Sequence, residues 1–173
     1  TYKGVEVSTE NLSIWETIKL IINLSLVMLV VSLVVAKFIP KGKSFNIEAL
    51  SKIFQNGPTL FYVIILLEEL LARYLFLTLI GEKLLHAQYP LMIILLVIGN
   101  AAWAALHFSN YKDPKDRKVL AVLPQFLGGL ILGYIYLRYG FFITLLVHLT
   151  FDFIILATNK KQDNIGASFL NSF

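Results

Sequence analysis

Residues 20–36 read LIINLSLVMLVVSLVVA, a run without a single charged side chain. With its flanks this run forms an apolar block over 16–39, long enough to cross the ~30 Å hydrocarbon core of a bilayer as a helix. The block is too long for the apolar core of a signal peptide, and no small-residue cleavage site follows it. We therefore expect a retained membrane span.

The rest of the chain repeats this pattern. Of its 173 residues, 57% are hydrophobic and 15% are charged, whereas soluble domains are about half apolar and about a quarter charged. Helical spacing of apolar residues over 44–54 predicts a short interfacial helix. We predict one all-α membrane domain, 1–173, a polytopic transmembrane helix bundle in which 58–158 forms a four-helix core. The five predicted spans are 16–39, 58–79, 89–107, 118–139 and 141–158.

Charge and cysteine content restrict the partners. The absence of cysteine excludes disulfides and thiolate chemistry. The net charge of +4 is modest and its basic residues flank the apolar blocks, which suits lipid headgroups rather than nucleic acid. The excess of Lys and Arg on one side predicts an outside N-terminus and a cytoplasmic C-terminus. That side carries Lys37, Lys41, Lys43, Lys52, Lys112, Lys115, Arg117, Lys118, Lys160 and Lys161; the other carries Lys3, Lys19, Lys83 and Arg138.

The second predicted span contains three charged residues, Glu68, Glu69 and Arg73. Charge inside a span costs at least ~2.5–3.5 kcal/mol per residue, so such residues are functional candidates. Glu69 and Arg73 are four positions apart on one helical face and can pair. Glu68 lies about 100° around the helix and is left to face a cavity. The alternative is one structural ion network that uses both acids.

Histidines occur in two later spans. His107 ends the third span one turn after Trp103; alone, this arrangement is more typical of packing or of an interface. His148 and Asp152, four residues apart in the fifth span, can form an oriented imidazole, part of a metal site or a simple structural pair. The groups are expected ~5–15 Å below the cytoplasmic surface at 1.5 Å per residue. They are tolerable at that depth if they line one water-filled cavity open to the cytoplasm.

Three motifs resemble those of the CAAX protease and bacteriocin-processing family, also called Abi. They are EELLAR from Glu68, WAALH ending at His107 and HLTFD from His148, against the family patterns EExxxR, (F/W)xxxH and HxxxN or HxxxD. The family includes the Ras-converting prenyl-protein endopeptidases, and the resemblance covers about residues 58–158. Gly129 and Gly133 also match, and independently predict a close helix-packing face, within or between chains.

The resemblance implies a metal-free intramembrane endopeptidase. Glu68 would be the general base that activates water with help from His107, and His148 and Asp152 would stabilise the oxyanion. Glu69 and Arg73 would support the site, with Trp103 packed beside it. Asp152 stands where eukaryotic members have Asn, and an ionised Asp would repel an oxyanion. We therefore expect Asp152 either to be protonated or to hold His148 as an imidazolium.

Other functions stay open at this point. Glu68, His107 and His148 could instead ligate Zn²⁺, although the HExxH signature is absent. A membrane immunity or partner-binding protein could use the same scaffold without catalysis. An ion-coupled transporter would predict repeats, which the sequence does not show. The implied substrate is a peptide or protein in a bacterial plasma membrane, either prenylated or a bacteriocin-type leader peptide.

Overall fold

The computed structural model describes residues 12–38, 54, 57–110 and 119–170, without the side chains of 36, 58, 109–110 and 158–170. Within these ranges the chain is helical and has no strand. The predicted interfacial helix 44–54 and the polar loop 111–118 lie outside the described residues, apart from Phe54. The all-α prediction is confirmed for the part that is described.

Helix α1 spans Ile14–Ala36. Its start is fixed by a capping box: the Ser13 hydroxyl accepts a hydrogen bond from the Glu16 amide, and the Glu16 carboxylate accepts one from the Ser13 amide. These contacts satisfy backbone donors that the first helical turn leaves free. The helix thus begins two residues before the predicted apolar block.

Helix α2 spans Pro58–Glu69 and continues without a break as a π-helical segment, Leu70–Leu84. Pro58 suits the first turn because its missing N–H would have no helical partner there. A π-helix has hydrogen bonds between residues five apart, instead of four as in an α-helix. The segment ends with such a bond, in which the Leu85 amide donates to the Ile80 carbonyl at 2.9 Å. The helical stretch runs past the predicted span 58–79, through the charged Glu82 and Lys83.

Helix α3 spans Tyr89–Leu106 and passes into a 3₁₀ turn, His107–Asn110. A second 3₁₀ turn, Val119–Ala121, precedes helix α4, Leu123–Leu170. Gly140 breaks α4 with φ +78° and ψ −178°, a conformation that glycine adopts most readily. This break falls between the predicted spans 118–139 and 141–158. The second arm continues to Leu170, since a helix does not have to end where its apolar residues do.

In the part of the chain that the structure describes, three helices are long and apolar enough to cross a membrane: Ile14–Val35, Tyr89–Leu106 and Leu123–Ala157. The last has 35 residues, more than the ~20 that one crossing needs, and the break at Gly140 divides it into two arms. The stretch Pro58–Leu84 is not among the three, and it carries Glu68, Glu69 and Arg73 near its middle. The five-span count therefore stays a prediction.

Two of the buried clusters that join the helices lie near the charged residues or beside them. One joins α1 to both arms of α4 and consists of Met28, Leu132, Ile135, Ile143, Val147 and Phe151. The other joins the π-helical segment to α3 and consists of Leu77, Ala87, Met92 and Leu96. The predicted small-residue face packs within the chain, because a Cβ at Gly129 or Gly133 would overlap the side chain of Asn100 or Leu96 on α3. This close approach brings α3 and α4 together at the level of the charged residues.

Candidate functional site

The end of α2 carries a buried ion pair. Arg73 Nη1 donates to Glu69 Oε1 at 3.0 Å, and the two side chains are 1% and 0% exposed. Breaking such a pair by removing one partner leaves an uncompensated buried charge. The pair that the spacing predicted is therefore present and fully buried.

The Glu69 carboxylate also binds a histidine of α4. Its Oε1 accepts a hydrogen bond from His148 Nδ1 at 2.7 Å, the short distance expected for a charge-assisted bond. The bond fixes the orientation of the imidazole, because a carboxylate can only accept and Nδ1 must carry the proton. Glu69 thus connects Arg73 of the π-helical segment to His148 on α4.

The other ring nitrogen of His148 faces two more acids. Its Nε2 lies 3.7 Å from Asp152 Oδ2 and 3.9 Å from Glu68 Oε2. These distances are too long for direct hydrogen bonds, and they leave Nε2 between two carboxylates. His148, Asp152, Glu68 and Glu69 are therefore brought together by the packing of α2 against the second arm of α4.

The two adjacent glutamates have different surroundings. The side chain of Glu69 is 0% exposed, whereas that of Glu68 is 28% exposed. Glu68 has no hydrogen bond to Arg73, which is held by its neighbour. Of the acids around His148, Glu68 is therefore the one with the greatest access to an incoming molecule.

Trp103 connects Arg73 to His107. The guanidinium carbon of Arg73 lies 4.9 Å from the centre of the indole ring, a cation–π distance. The Trp103 and His107 rings also meet edge to face with centroids 4.5 Å apart. The indole thus contacts both the buried cation and the histidine that follows α3.

His107 lies at the point where α3 becomes a 3₁₀ turn. Its Nδ1 is 3.1 Å from the Trp103 carbonyl, which can only accept, so the neutral ring presents Nε2 as an acceptor. Among the described residues, no hydrogen bond or ion pair joins His107 to Glu68. The expected cooperation of these two side chains therefore stays a prediction.

Sequence reasoning missed two features of this region. It paired Glu69 with Arg73 but did not assign Glu69 to His148, because motif spacing does not show which helices are neighbours. It also omitted Asn100, a buried residue on α3 whose amide donates to the Phe126 carbonyl of α4. The sequence signal that could have identified Asn100 was an uncharged polar side chain inside an apolar span.

The alternative zinc set was Glu68, His107 and His148. In residues 12–38, 54, 57–110 and 119–170, no group of three or more His, Asp or Glu side chains is arranged to hold a metal ion. Whether the protein needs a metal can be tested by removing metal ions with a chelator.

The family model described as type II CAAX prenyl endopeptidase Rce1-like matches residues 51–154. This match covers more than half of the chain and includes all three motifs. The chain belongs to this family. No curated protein and no solved structure matches it. Membership of the Rce1-like family implies protease activity, and together with the three apolar helices it makes the chain an integral membrane protein.

Proposed function

We propose that this Rce1-like protein is an intramembrane endopeptidase that hydrolyses a peptide bond in a membrane-associated polypeptide. The supporting observation is that the carboxylates of Glu68 and Asp152 both lie near Nε2 of His148, inside a bundle of apolar helices. Charged groups at membrane depth are costly and are retained for function. The substrate class that fits the family is a prenylated protein, with a bacteriocin-type leader peptide as the second candidate.

Glu68 is the proposed general base. It would take a proton from a water molecule while the hydroxide forms a bond to the carbonyl carbon of the peptide. His107 would accept the second hydrogen bond of that water through Nε2, which explains why the two side chains need no direct contact. The proton on Glu68 would then pass to the leaving nitrogen as the C–N bond breaks, so that Glu68 ends the cycle as a carboxylate.

His148 is the proposed oxyanion donor. Its Nδ1–H is committed to Glu69, and we propose that Nε2 also carries a proton because it faces Asp152 and Glu68. Asp152 would then hold the imidazolium rather than contact the oxyanion itself. Removal of one oxyanion donor costs about 10²–10³-fold in kcat.

Cleavage can be tested with the purified protein in proteoliposomes. The substrate is a farnesylated peptide that ends in a CAAX sequence, and its matched control is the same peptide without the farnesyl group. We expect mass spectrometry to find a truncated product from the farnesylated peptide alone. Equal cleavage of both peptides would count against prenyl recognition, and cleavage of neither would count against a prenylated substrate.

Chelation separates the metal-free mechanism from the zinc alternative. Because Glu68 and His107 are proposed to activate water directly, EDTA or 1,10-phenanthroline should leave the cleavage rate unchanged within about twofold. A rate lost on chelation and restored by Zn²⁺ would favour the metal mechanism.

Orientation in the membrane can be measured because the chain has no cysteine. Single cysteines placed at Ser13 and at Asp163 should react with impermeant maleimide from opposite sides of right-side-out vesicles, with Ser13 on the outside. This follows from the distribution of Lys and Arg. Labelling of both positions from one side would refute the odd number of spans.

A further inference from the structure

Asn100 is a polar residue at the centre of α3 that the proposed mechanism does not use. It is 1% exposed, and its side-chain amide donates to the backbone carbonyl of Phe126 on α4. Trp103 and His107 follow it at helical spacing of three and seven residues, so Asn100 shares their face of the helix. The residue is therefore directed toward the same helices that build the site.

The turn of α4 that receives Asn100 also receives Arg73. Arg73 Nη2 donates to the Gly129 carbonyl at 3.2 Å, and the Asn100 side chain fills the space that a Cβ at Gly129 would need. The glycine permits this approach because it has no side chain. Residues 126–129 of α4 are thus held from α3 by Asn100 and from α2 by Arg73.

From Arg73 the contacts continue to His148. Arg73 binds Glu69 Oε1, and the same oxygen accepts from His148 Nδ1. The position of α4 against α3 therefore affects the bond to Gly129, the position of the guanidinium and the placement of Glu69. The three contacts that lead from Gly129 through Arg73 and Glu69 to His148 are buried, where the atoms have little freedom to compensate for a shift.

We infer that Asn100 is a positioning residue, which holds the 126–129 turn of α4 in place and, through Arg73 and Glu69, fixes the imidazole of His148. The inference rests on the proposed function for its effect on cleavage. The positional effect on His148 can be observed without substrate, so the two can be tested separately.

Two adjacent glycines provide a matched pair of variants. A Cβ at Gly129 would overlap Asn100, whereas a Cβ at Gly128 has nothing within 4 Å. Both substitutions by Ala raise helix propensity equally. Gly129→Ala should lower kcat by about 10²-fold with little change in KM, since misplacement by ~1 Å has that effect. Gly128→Ala should leave kcat unchanged.

Asn100→Leu removes the amide at similar volume, and Asn23→Leu makes the same change at an exposed position of α1. The chain has three histidines, so the ¹⁵N ring signals of His148 can be assigned by substituting His86 and His107. In detergent micelles these signals should move in Asn100→Leu and in Gly129→Ala, and stay fixed in the two controls. Asn100→Leu and Glu69→Gln should also be non-additive in kcat, because both act through His148.

Unchanged His148 signals in both Asn100→Leu and Gly129→Ala would overturn the inference, even if stability fell. Additive effects of Asn100→Leu and Glu69→Gln would do the same, because they indicate a general loss of packing. The His148 signals could move in these two variants while the wild-type protein cleaves no peptide. That result would support the positioning role and count against the proposed peptidase.

Discussion

Replacing Glu68 with Gln should abolish peptide cleavage, with kcat/KM lowered by about 10³-fold or more. Gln keeps the size and hydrogen-bonding capacity of the side chain but cannot take a proton from water. The side chain is partly exposed and has no hydrogen bond to Arg73, so the buried pair of Glu69 and Arg73 should survive. The measurement is the cleavage rate of a reporter peptide in proteoliposomes, with thermal unfolding as the check on folding.

Glu82→Gln is the matched control for this substitution. Glu82 is exposed and lies on the same continuous helical stretch, in the segment Leu70–Leu84. The same chemical change there should leave both activity and stability unaffected. Retention of more than about a tenth of the wild-type rate in folded Glu68→Gln would remove Glu68 from the role of general base.

The largest loss of stability is expected from Arg73→Met. The substitution removes the cation that binds Glu69, whose side chain is 0% exposed, and it also removes the bond to the Gly129 carbonyl. Breaking a buried ion pair in this way costs about 3–5 kcal/mol. Unfolding in mixed detergent micelles should show this as a lower midpoint than that of the wild type.

Two further variants determine whether the lost charge causes the loss of stability in Arg73→Met. Lys83→Met changes an exposed cation in the same π-helical segment and should have little effect, since exposed ion pairs contribute ~1 kcal/mol or less. The double variant Glu69→Gln, Arg73→Met removes both charges and should recover part of the loss. If the double variant were less stable than Arg73→Met alone, the ion-pair explanation would be wrong.

Much of the fold could be predicted because its determinants are local. The apolar blocks gave the positions of α1 and α3, and the break at Gly140 fell between two predicted spans. Helix ends are harder to predict from the apolar pattern. The helical stretch from Pro58 runs to Leu84, beyond the predicted span 58–79, since backbone hydrogen bonds can continue through charged residues. The π-helical geometry of Leu70–Leu84 had no signal in the pattern of apolar residues.

The candidate site was predicted as a set of residue types but not as a set of contacts. Spacing of four residues was enough for the pair of Glu69 and Arg73, because one helix determines that geometry. The bond between Glu69 and His148 joins residues 79 positions apart, and only the packing of α2 against α4 produces it. The same holds for Asn100, whose partner lies on another helix. His107 was expected to help Glu68, and that role stays a prediction.

We propose that the acid and imidazole groups gathered inside the membrane hydrolyse peptide bonds. The most direct measurement is quantitative proteomics of new peptide termini in membranes that contain the wild type, Glu68→Gln or Glu82→Gln at equal abundance. We expect a set of termini produced by the wild type and by Glu82→Gln and absent with Glu68→Gln. An identical set of termini in all three membranes would contradict it.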